Sequence, residues 1–592
     1  MEEEPDDPQS DSDPGPQSDP LHPEPGAGPH PDSDLRPDVV GRRRIVLGIG
    51  FAAALVALGR RLPGRSLSAT GPSGASPTTV PAVLRSTSTR PPDPSTAPTS
   101  EMSEEPTTTV DDHRYDLVVA GGRVIDPETG FDAVAHVGID GNTVITVSTG
   151  ALRGRTVLNA AGLVVAPGFI DILSYPVTGY GEWNKIADGV TTNLCMHGID
   201  HPMNRFLERS AKQRPPVNYG GATDQYSHRA DIGGGIDYAS DPQIDELVRR
   251  ADADIRAGAL GIHEQPEYVP GVTLDEMLRH GELAASHDVP LCLHLRYSEN
   301  LEPGTQEQAI TEAVTVARRT GCAVHVEHLN STGGTGRMAD AIAQMEAARA
   351  EGLALTACTY PYTFWATYAH SARFEDFREK YGITVADLQI AATAERLDEA
   401  GWQRARDTNA LTAAFAMSDD DIERPLATPW IMVGSDAILE RPHNNHPRAS
   451  GCFSRVLGHY ARDRNVLSLT EALAKMTILP ARLLEGRSPD LARRGRLSTG
   501  AVADITVFDP ITITDRATIE KTWLPSVGVH HVVVGGQVVR REGTTDQSVR
   551  PGVPILSRID ATCPTPSPPC SDPSDGSPGC CRWSSWQSWS VC

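Results

Sequence analysis

Basic residues are scarce in this chain. Lys and Arg number 53 against 77 Asp and Glu, which leaves a formal net charge of −24 over 592 residues. Binding to nucleic acid needs an excess of Lys and Arg that neutralises phosphates, so this balance argues against nucleic acid as a partner. About half of the net charge lies in residues 1–41, where 12 carboxylates accompany one Arg. The acidity is therefore mostly a property of a solvated tail.

A hydrophobic run long enough to span a bilayer is missing near the N-terminus. The run Ile45 to Gly59 has 15 residues and lies between Arg42-Arg43-Arg44 and Arg60-Arg61. As a helix it would be about 22 Å long, whereas the bilayer core is about 30 Å thick. This length suits the apolar region of a signal peptide, and the preceding arginines are similar to a twin-arginine export signal. A short uncleaved membrane anchor is the alternative.

Residues 42–61 are accordingly predicted to be a signal or anchor segment. We expect an exported or membrane-anchored, extracytoplasmic protein that this segment attaches to the membrane or cell surface if it is not cleaved.

Apolar residues are too few to build a core at either end of the chain. Residues 1–41 are rich in Asp, Glu, Pro and Ser, and we predict a disordered acidic tail. Residues 62–112 are rich in Pro, Ser and Thr and are predicted to form an extended linker. Residues 549–592 form a Cys- and Trp-rich tail. Its tryptophans at every third position resemble the opening strand of a thrombospondin type-1 repeat, or they reflect low-complexity chance: Trp583, Trp586 and Trp589.

The 10 cysteines fall into two groups of five. An isolated Cys in an apolar context usually acts as a small hydrophobic residue, and five fit that description: Cys195, Cys292, Cys322, Cys358 and Cys452. The other five crowd the C-terminal tail and indicate a disulfide module in an oxidising compartment, with one Cys unpaired or the module incomplete: Cys563, Cys570, Cys580, Cys581 and Cys592.

One large globular unit lies between these ends. Short alternating strands fill residues 113–167 and return in residues 495–548, which indicates one small β-sandwich domain built from both ends of the unit. Residues 168–494 alternate strand and helix patterns, and seven or eight such units in about 325 residues favour a (β/α)₈ TIM barrel in an α/β protein. In that fold the chemistry lies at the C-terminal ends of the strands.

The strands of the alternating region are apolar, as expected for a parallel sheet covered by helices. They are predicted at residues 164–166, 191–194, 260–262, 291–293, 323–326, 353–355 and 431–433. Helices are predicted over residues 244–257, 305–319, 338–351 and 469–476.

Several short motifs, in this order, resemble the amidohydrolase superfamily, most closely the N-acyl-D-amino-acid deacylases. They are Leu163 to Asp171 (LVVAPGFID), Asp188 to Thr192 (DGVTT), Gly258 to Gly261 with Glu267 to Gly271 (EYVPG), Tyr360-Pro361-Tyr362, Gly434-Ser435-Asp436, His446-Pro447-Arg448, Arg455 to Gly458 and Ala501 to Phe508. The resemblance covers about residues 113–548. It implies a hydrolase that uses a divalent metal ion, usually zinc, on a small-molecule substrate.

The resemblance fails at one motif. The family places His-x-His directly after its Phe-Ile-Asp segment, where the pair holds a metal ion. This chain has Leu173 and Tyr175 at the two ligand positions. Leu has no lone pair to donate, and a phenol is a poor zinc ligand compared with imidazole. The remaining ligands decide whether an ion can still bind.

Asp436 matches the family's catalytic Asp after the last barrel strand. In the family this residue contacts the metal, accepts a proton from the attacking water and returns it to the leaving amine. The alternative is an Asp that caps the following turn or helix.

Two histidines are predicted to hold the ion together with Asp436. His328 matches the family's strand-end His ligand, although a structural histidine is the alternative. His197 falls where the deacylases have a metal-binding Cys, and imidazole preserves the donor function; Cys195 could serve instead. The family's other barrel His would fall near Tyr360 and so is expected to be lost. Glu264 lies in a loop where related enzymes often place another bridging group, but it is expected to be a solvated loop carboxylate.

An N-acyl amino acid presents a carboxylate, which a planar guanidinium binds well. Arg448 matches the family's carboxylate-binding Arg. Arg296 is a second candidate, with His294 beside it. Either Arg could instead form a structural ion pair.

The sequence thus predicts a metal-dependent hydrolase of linear amide bonds, acting on N-acyl-D-amino acids or similar small acylated compounds. Because the His-x-His pair is missing, a catalytically inactive barrel that serves as a surface binding or scaffold protein stays open as an alternative. A hydrolase of cyclic amides would share the same fold.

Overall fold

The structure is a computed structural model. It describes residues 113–199, 202–301, 303–437 and 445–558. The predicted acidic tail, signal or anchor segment, linker and most of the Cys- and Trp-rich tail lie outside these residues and stay predictions. In the described ranges, no helix is both long and apolar enough to cross a bilayer.

Strands from both ends of the described chain form one nine-stranded sheet. Its strands are β1 (Arg114–Asp126), β2 (Phe131–Asp140), β3 (Thr143–Ser148), β4 (Arg153–Asn159) and β5 (Val164–Pro167), with β20 (Ile505–Phe508), β21 (Val529–Val534), β22 (Gln537–Arg541) and β23 (Thr544–Thr545). The two sets meet where β20 pairs antiparallel with β5. β1 changes partner along its length, from β4 to β5, across a bulge between Val119 and Gly122.

The predicted (β/α)₈ barrel is confirmed. Its parallel strands are β6 (Phe169–Asp171), β7 (Val190–Cys195), β8 (Asn218–Gly221) continued by β9 (Thr223–Asp224), β10 (Ile262–Glu264), β11 (Leu291–Leu293), β14 (Val324–Val326), β15 (Leu355–Thr359) and β19 (Ile431–Val433). A parallel bridge between Ser174 and Ala437 joins the last strand to the first. Residues 164–166, predicted both as a strand of the alternating region and as part of the β-domain at 113–167, lie in β5 of the nine-stranded sheet.

Helices follow most barrel strands and cover the outside of the barrel. They are α1 (Gly181–Ala187), α2 (Met203–Gln213), α3 (Gln225–Asp231), α4 (Asp241–Arg256), α5 (Leu274–Ser286), α6 (Gln306–Thr320), α7 (Met338–Ala350), α8 (Phe377–Tyr381), α9 (Glu399–Thr408), α10 (Asp420–Ala427), α11 (Arg448–Arg455), α12 (Leu469–Met476) and α13 (Ile478–Leu484). A π-helical segment, Val456–Asp463, extends α11. The start of α6 shows a local cause, because Thr305 and Gln308 form a capping box there.

Two small sheets complete the described structure. β12 (Asn300–Leu301) pairs with β13 (Gly304–Thr305), and β16 (Trp365–Tyr368), β17 (Leu388–Ile390) and β18 (Leu411–Ala414) form a three-stranded sheet after β15.

An apolar cluster fills part of the barrel interior. Leu173 is fully buried there in a cluster with Ile172, Leu194, Cys358 and Met432. Leu173, which stands at the first of the two missing histidine positions, is thus a core residue. Burial of its apolar surface stabilises the fold.

Candidate metal centre and active site

Four buried side chains meet at the C-terminal ends of three barrel strands. His197 follows β7, His294 follows β11, and Glu327 and His328 follow β14. One ligand atom from each lies within 4.8 Å of all the others. His294 Nδ1 and His328 Nε2 are 3.1 Å apart, and His197 Nδ1 is 2.5 Å from Glu327 Oε2. The strand ends therefore bring three imidazoles and one carboxylate to a common point.

A divalent ion fits this group. Glu327 Oε1 and His328 Nδ1 are buried and have no hydrogen-bond partner among the described residues, although buried polar atoms are almost always partnered. Imidazole nitrogens and carboxylate oxygens are ligands that zinc accepts.

The pKa shifts of His294, His328 and Glu327 favour the forms that bind metal. Burial, reinforced by the positive charge of Arg373, holds the pKa of His294 well below its usual value, and burial does the same for His328. Burial would raise the pKa of Glu327, but His197 and His263 hold it well below its usual value. Neutral imidazoles and an ionised carboxylate are the forms that bind metal.

A carboxylate contacts the ring nitrogen of His294 that faces away from His328. Glu267 Oε2 is 2.5 Å from His294 Nε2, and Ser298 Oγ donates to Glu267 Oε1 at 2.8 Å. Metal-binding histidines usually place their second ring nitrogen against a carboxylate in this way, which fixes the orientation of the ring. His294, predicted to bind substrate, thus lies in the candidate ligand group.

Among the described residues, the β6 end of the barrel mouth carries no such group. Asp171, at the end of β6, forms a buried ion pair with Lys185 and accepts hydrogen bonds from Ser435 N at 2.9 Å and Ser435 Oγ at 2.5 Å. Tyr175 lines the cavity, and its ring centroid is 5.0 Å from that of His197. Leu173 and Tyr175 thus supply packing and a phenol where the family's histidine pair would lie.

Asp436 lies at the cavity, directly after β19 and Gly434-Ser435. Its backbone has a φ of 48°, a conformation that is strained for a residue other than Gly and is often found at functional sites. Its Oδ2 is 2.7 Å from Arg448 Nη2, and Arg448 Nε donates to its carbonyl oxygen at 2.6 Å. Among the described residues, Asp436 is not part of the four-residue ligand group. The structure thus brings Asp436 and Arg448 together beside the three histidines.

One cavity joins these side chains. It is lined by Tyr175, His197, Tyr268, His294, His328, Trp365, Ala366, Thr367, Arg373, Asp436 and Arg448.

Two buried guanidinium groups face this cavity. Arg448 lies over the Tyr360 ring at 4.6 Å, and its Nη1 has no hydrogen-bond partner within the described ranges. Arg373 Cζ lies 4.2 Å from the centroid of the Trp365 ring, and its Nε is 3.4 Å from Glu267 Oε1. Both groups can offer N–H donors to an anion.

Arg296 is not part of this cavity. Its Nε is 2.9 Å from Glu312 Oε2, and its Nη2 donates to the Val272 carbonyl at 2.8 Å. Arg296 lies three residues past the end of β11 and turns towards α6, so its guanidinium forms the structural ion pair that the sequence left open.

Three further expectations can be compared with the structure. Cys195 lies outside the ligand group, and burial raises the pKa of its thiol to about 12, which opposes metal binding. Glu264 is fully buried with Oε1 2.5 Å from His280 Nδ1, so it is not a solvated loop carboxylate. Tyr360 itself supplies no imidazole, but His294, after β11, adds a second barrel-strand histidine to the ligand group.

Sequence reasoning missed Glu327 and Arg373. Glu327 lies beside His328 at a strand end, and an acidic residue next to a candidate ligand was a usable signal. Arg373 lies in a connection after β16, and nothing in its local sequence indicates that it reaches the cavity.

Comparisons with known proteins identify the family of this chain. The model of the Amidohydrolase family matches residues 222–540. The chain is 32% identical to an N-acyl-D-glutamate deacylase of Alcaligenes xylosoxydans xylosoxydans, over 72% of this chain and 94% of that protein. It is 29% identical to a D-aminoacylase of the same organism, over 73% of this chain and 96% of that protein.

A solved structure gives the same likeness. The N-acyl-D-glutamate deacylase from Bordetella bronchiseptica, complexed with zinc and a phosphonate inhibitor that mimics the tetrahedral intermediate, superimposes with a TM-score of 0.66 at 27% identity. The match covers 75% of this chain and all of that chain.

Proposed function

This chain belongs to the amidohydrolase family, among its D-aminoacylase-like members, and we propose that it hydrolyses the linear amide bond of N-acyl-D-amino acids. One observation carries the proposal: three imidazoles and one carboxylate converge within 4.8 Å at the C-terminal strand ends of the barrel. The cofactor is a divalent metal ion, and zinc is the expected one, because zinc is present in the similar deacylase structure.

His197, His294, Glu327 and His328 would hold the ion. When bound there, a divalent ion acidifies a water molecule and polarises the scissile carbonyl. The missing His-x-His pair does not prevent this chemistry, because three protein ligands are sufficient for a catalytic zinc ion and this group offers four candidates.

Asp436 moves the proton. Arg448 Nη2 forms an ion pair with Asp436 Oδ2. Asp436 Oδ1 then accepts a proton from the attacking water and delivers it to the nitrogen of the leaving amine. The strained backbone and the two bonds from Arg448 hold the carboxylate at the cavity wall, so the proton acceptor is positioned before substrate binds.

The two guanidinium groups select the substrate. Arg448, with its free Nη1, binds the α-carboxylate of the amino acid. Arg373 adds a second guanidinium group to the cavity lining, which favours a substrate with a second carboxylate. We therefore place acidic N-acyl-D-amino acids first among the substrates, in line with the similarity to an N-acyl-D-glutamate deacylase.

A substrate panel with metal analysis tests this proposal. Purified full-length protein is assayed with the N-acetyl derivatives of D-glutamate, D-aspartate and D-leucine, their L-enantiomers, and a hydantoin as a cyclic amide. We expect bound zinc and the highest kcat/KM for the acidic D-compounds. Zinc-free protein without activity on any compound would support the inactive scaffold, and turnover of the hydantoin alone would support the cyclic-amide hydrolase.

The location of the protein is a separate proposal. We propose that it acts outside the cytoplasm, on the grounds of the arginines and the apolar run in residues 42–61. Fusion of residues 1–112 to a reporter that is active only after export tests this, and Lys-Lys in place of Arg42-Arg43 is the control. Reporter activity that is confined to the cytoplasm would refute it.

A further inference from the structure

Tyr175, in the loop after β6, reaches the cavity of the candidate active site. Two residues earlier, Leu173 is buried in the apolar cluster, and the Asp171–Lys185 ion pair lies at the strand end. Tyr175 is only partly buried and lines the cavity instead. The chain thus presents a phenol to the cavity at a position where the family's motif has an imidazole.

The backbone around Tyr175 is tied to both neighbouring barrel strands. Asn193, buried in β7, donates from Nδ2 to the Tyr175 carbonyl oxygen at 3.2 Å. On the other side, Asp436 N donates to the Leu173 carbonyl oxygen at 2.8 Å. These bonds fix the start of the Tyr175 side chain between the strands that carry His197 and Asp436.

The Tyr175 ring lies beside the candidate ligand group. Its centroid is 5.0 Å from that of His197, and the two ring planes meet at 62°. A phenol has a pKa of about 10, so it keeps its proton at neutral pH and can donate a hydrogen bond. Burial raises the pKa of Tyr175 further, and the negative charge of Asp436 adds to this effect.

Amide hydrolysis needs a hydrogen-bond donor of this kind. Addition of water to the amide carbonyl places negative charge on the carbonyl oxygen, and donors directed at that oxygen stabilise the transition state. In the proposed function, Asp436 carries the proton of the attacking water and Arg448 binds the α-carboxylate. The phenol of Tyr175 is a neutral donor at the same cavity to which no other task is assigned.

We propose that Tyr175 is a catalytic residue whose hydroxyl donates a hydrogen bond to the scissile carbonyl oxygen, a bond that strengthens as this oxygen becomes negative. The inference rests on the proposed function, because it assigns one more residue to that reaction. Tyr175 keeps its proton throughout, and the proton of the attacking water passes through Asp436 to the leaving nitrogen.

The Tyr175→Phe variant tests the inference, because it removes the hydroxyl and keeps the ring. On the N-acetyl-D-amino acid with the highest kcat/KM, kcat should fall by about 10²–10³-fold, the typical effect of losing one such donor, and KM should change by less than about 2-fold. Bound zinc should equal that of the wild type. The control is Tyr219→Phe, which removes the hydroxyl of a buried tyrosine of β8 whose ring packs on Phe206, and it should keep the wild-type kcat.

A phosphonate gives a second readout that does not depend on turnover. The probe is the same D-amino acid with a methylphosphonyl group in place of the acetyl group, which mimics the tetrahedral intermediate. Its Kd, measured by calorimetry, should rise by about 10²–10³-fold in Tyr175→Phe, in parallel with the fall in kcat. The free D-amino acid lacks the carbonyl oxygen, so its Kd should be the same in both proteins.

The outcomes separate this inference from the proposed function. An unchanged kcat in Tyr175→Phe, a loss confined to KM, a loss of bound zinc, or equal weakening of the phosphonate and the free amino acid would each overturn the catalytic role of Tyr175 and leave the proposed function intact. A wild type that hydrolyses no compound of the substrate panel would overturn both.

Discussion

At the end of β6 the barrel mouth holds Leu173 and the Asp171–Lys185 ion pair, whereas the ends of β7, β11 and β14 carry imidazoles and a carboxylate. Both regions are buried and both contain charged residues. They differ in how their polar atoms are satisfied. Asp171 Oδ1 accepts from Ser435 N, and Oδ2 accepts from Lys185 and Ser435 Oγ.

On the other side, Glu327 Oε1 and His328 Nδ1 lack partners within the described residues. A buried charge that the protein itself neutralises is a structural element, and a buried donor group with unpartnered atoms indicates a ligand. The comparison therefore assigns stability to the β6 side of the mouth and metal binding to the other side.

The largest expected effect comes from removing a ligand on the binding side. His294→Ala should lower kcat/KM by on the order of 10⁴-fold, because metal-assisted catalysis is lost with the ion. Steady-state kinetics and bound-zinc analysis measure this, and His325→Ala serves as the matched buried-histidine control. Near-normal activity with His294→Ala would remove the metal centre from the mechanism.

The second-largest expected effect is on the free energy of unfolding, at the Asp171–Lys185 ion pair. Lys185→Met should destabilise the fold by about 3–5 kcal/mol, because Asp171 keeps a buried charge without its counter-ion. Urea unfolding measures the loss. The double variant Lys185→Met/Asp171→Asn should recover much of it, since an amide can still accept from Ser435. If the single variant is as stable as the wild type, the ion pair does not hold the β6 side together.

Metal removal should lower the stability of the fold only where the four-residue ligand group is intact. A chelator should lower the unfolding free energy by about 3–4 kcal/mol relative to protein in zinc at 100–1,000 times its Kd. Calorimetry should show the drop in wild type and in Lys185→Met, but not in His294→Ala. An equal drop in His294→Ala would place the bound ion elsewhere.

The smallest expected effects are at the two guanidinium groups. Arg448→Lys should raise KM for every N-acyl-D-amino acid by about 10–100-fold, because a charge-assisted bidentate contact is lost. Arg373→Lys should do so only for acidic substrates. Kinetics with N-acetyl-D-glutamate and N-acetyl-D-leucine measure the difference, and equal losses on both substrates would contradict a selective role for Arg373.

Patterns in the local sequence predicted many of the strands and helices of the fold. The apolar strands and the helices α4, α6, α7 and α12 were predictable, because burial on both sheet faces and helical periodicity leave a pattern in consecutive residues. His197, His328, Asp436 and Arg448 were recognisable from short motifs at strand ends, where barrel enzymes carry their chemistry.

The sequence by itself determined the family, the barrel and the absence of the His-x-His pair, since each of these depends on the order of neighbouring residues. Only the tertiary structure decided that Glu327 and His294 join the ligand group, that Arg296 turns away to Glu312 and that Arg373 reaches the cavity. Those outcomes depend on which side chains from distant strands share one buried volume, and on whether each polar atom finds a partner there. Both are determined when the barrel closes and brings distant strands together, so a pattern of neighbouring residues does not predict them.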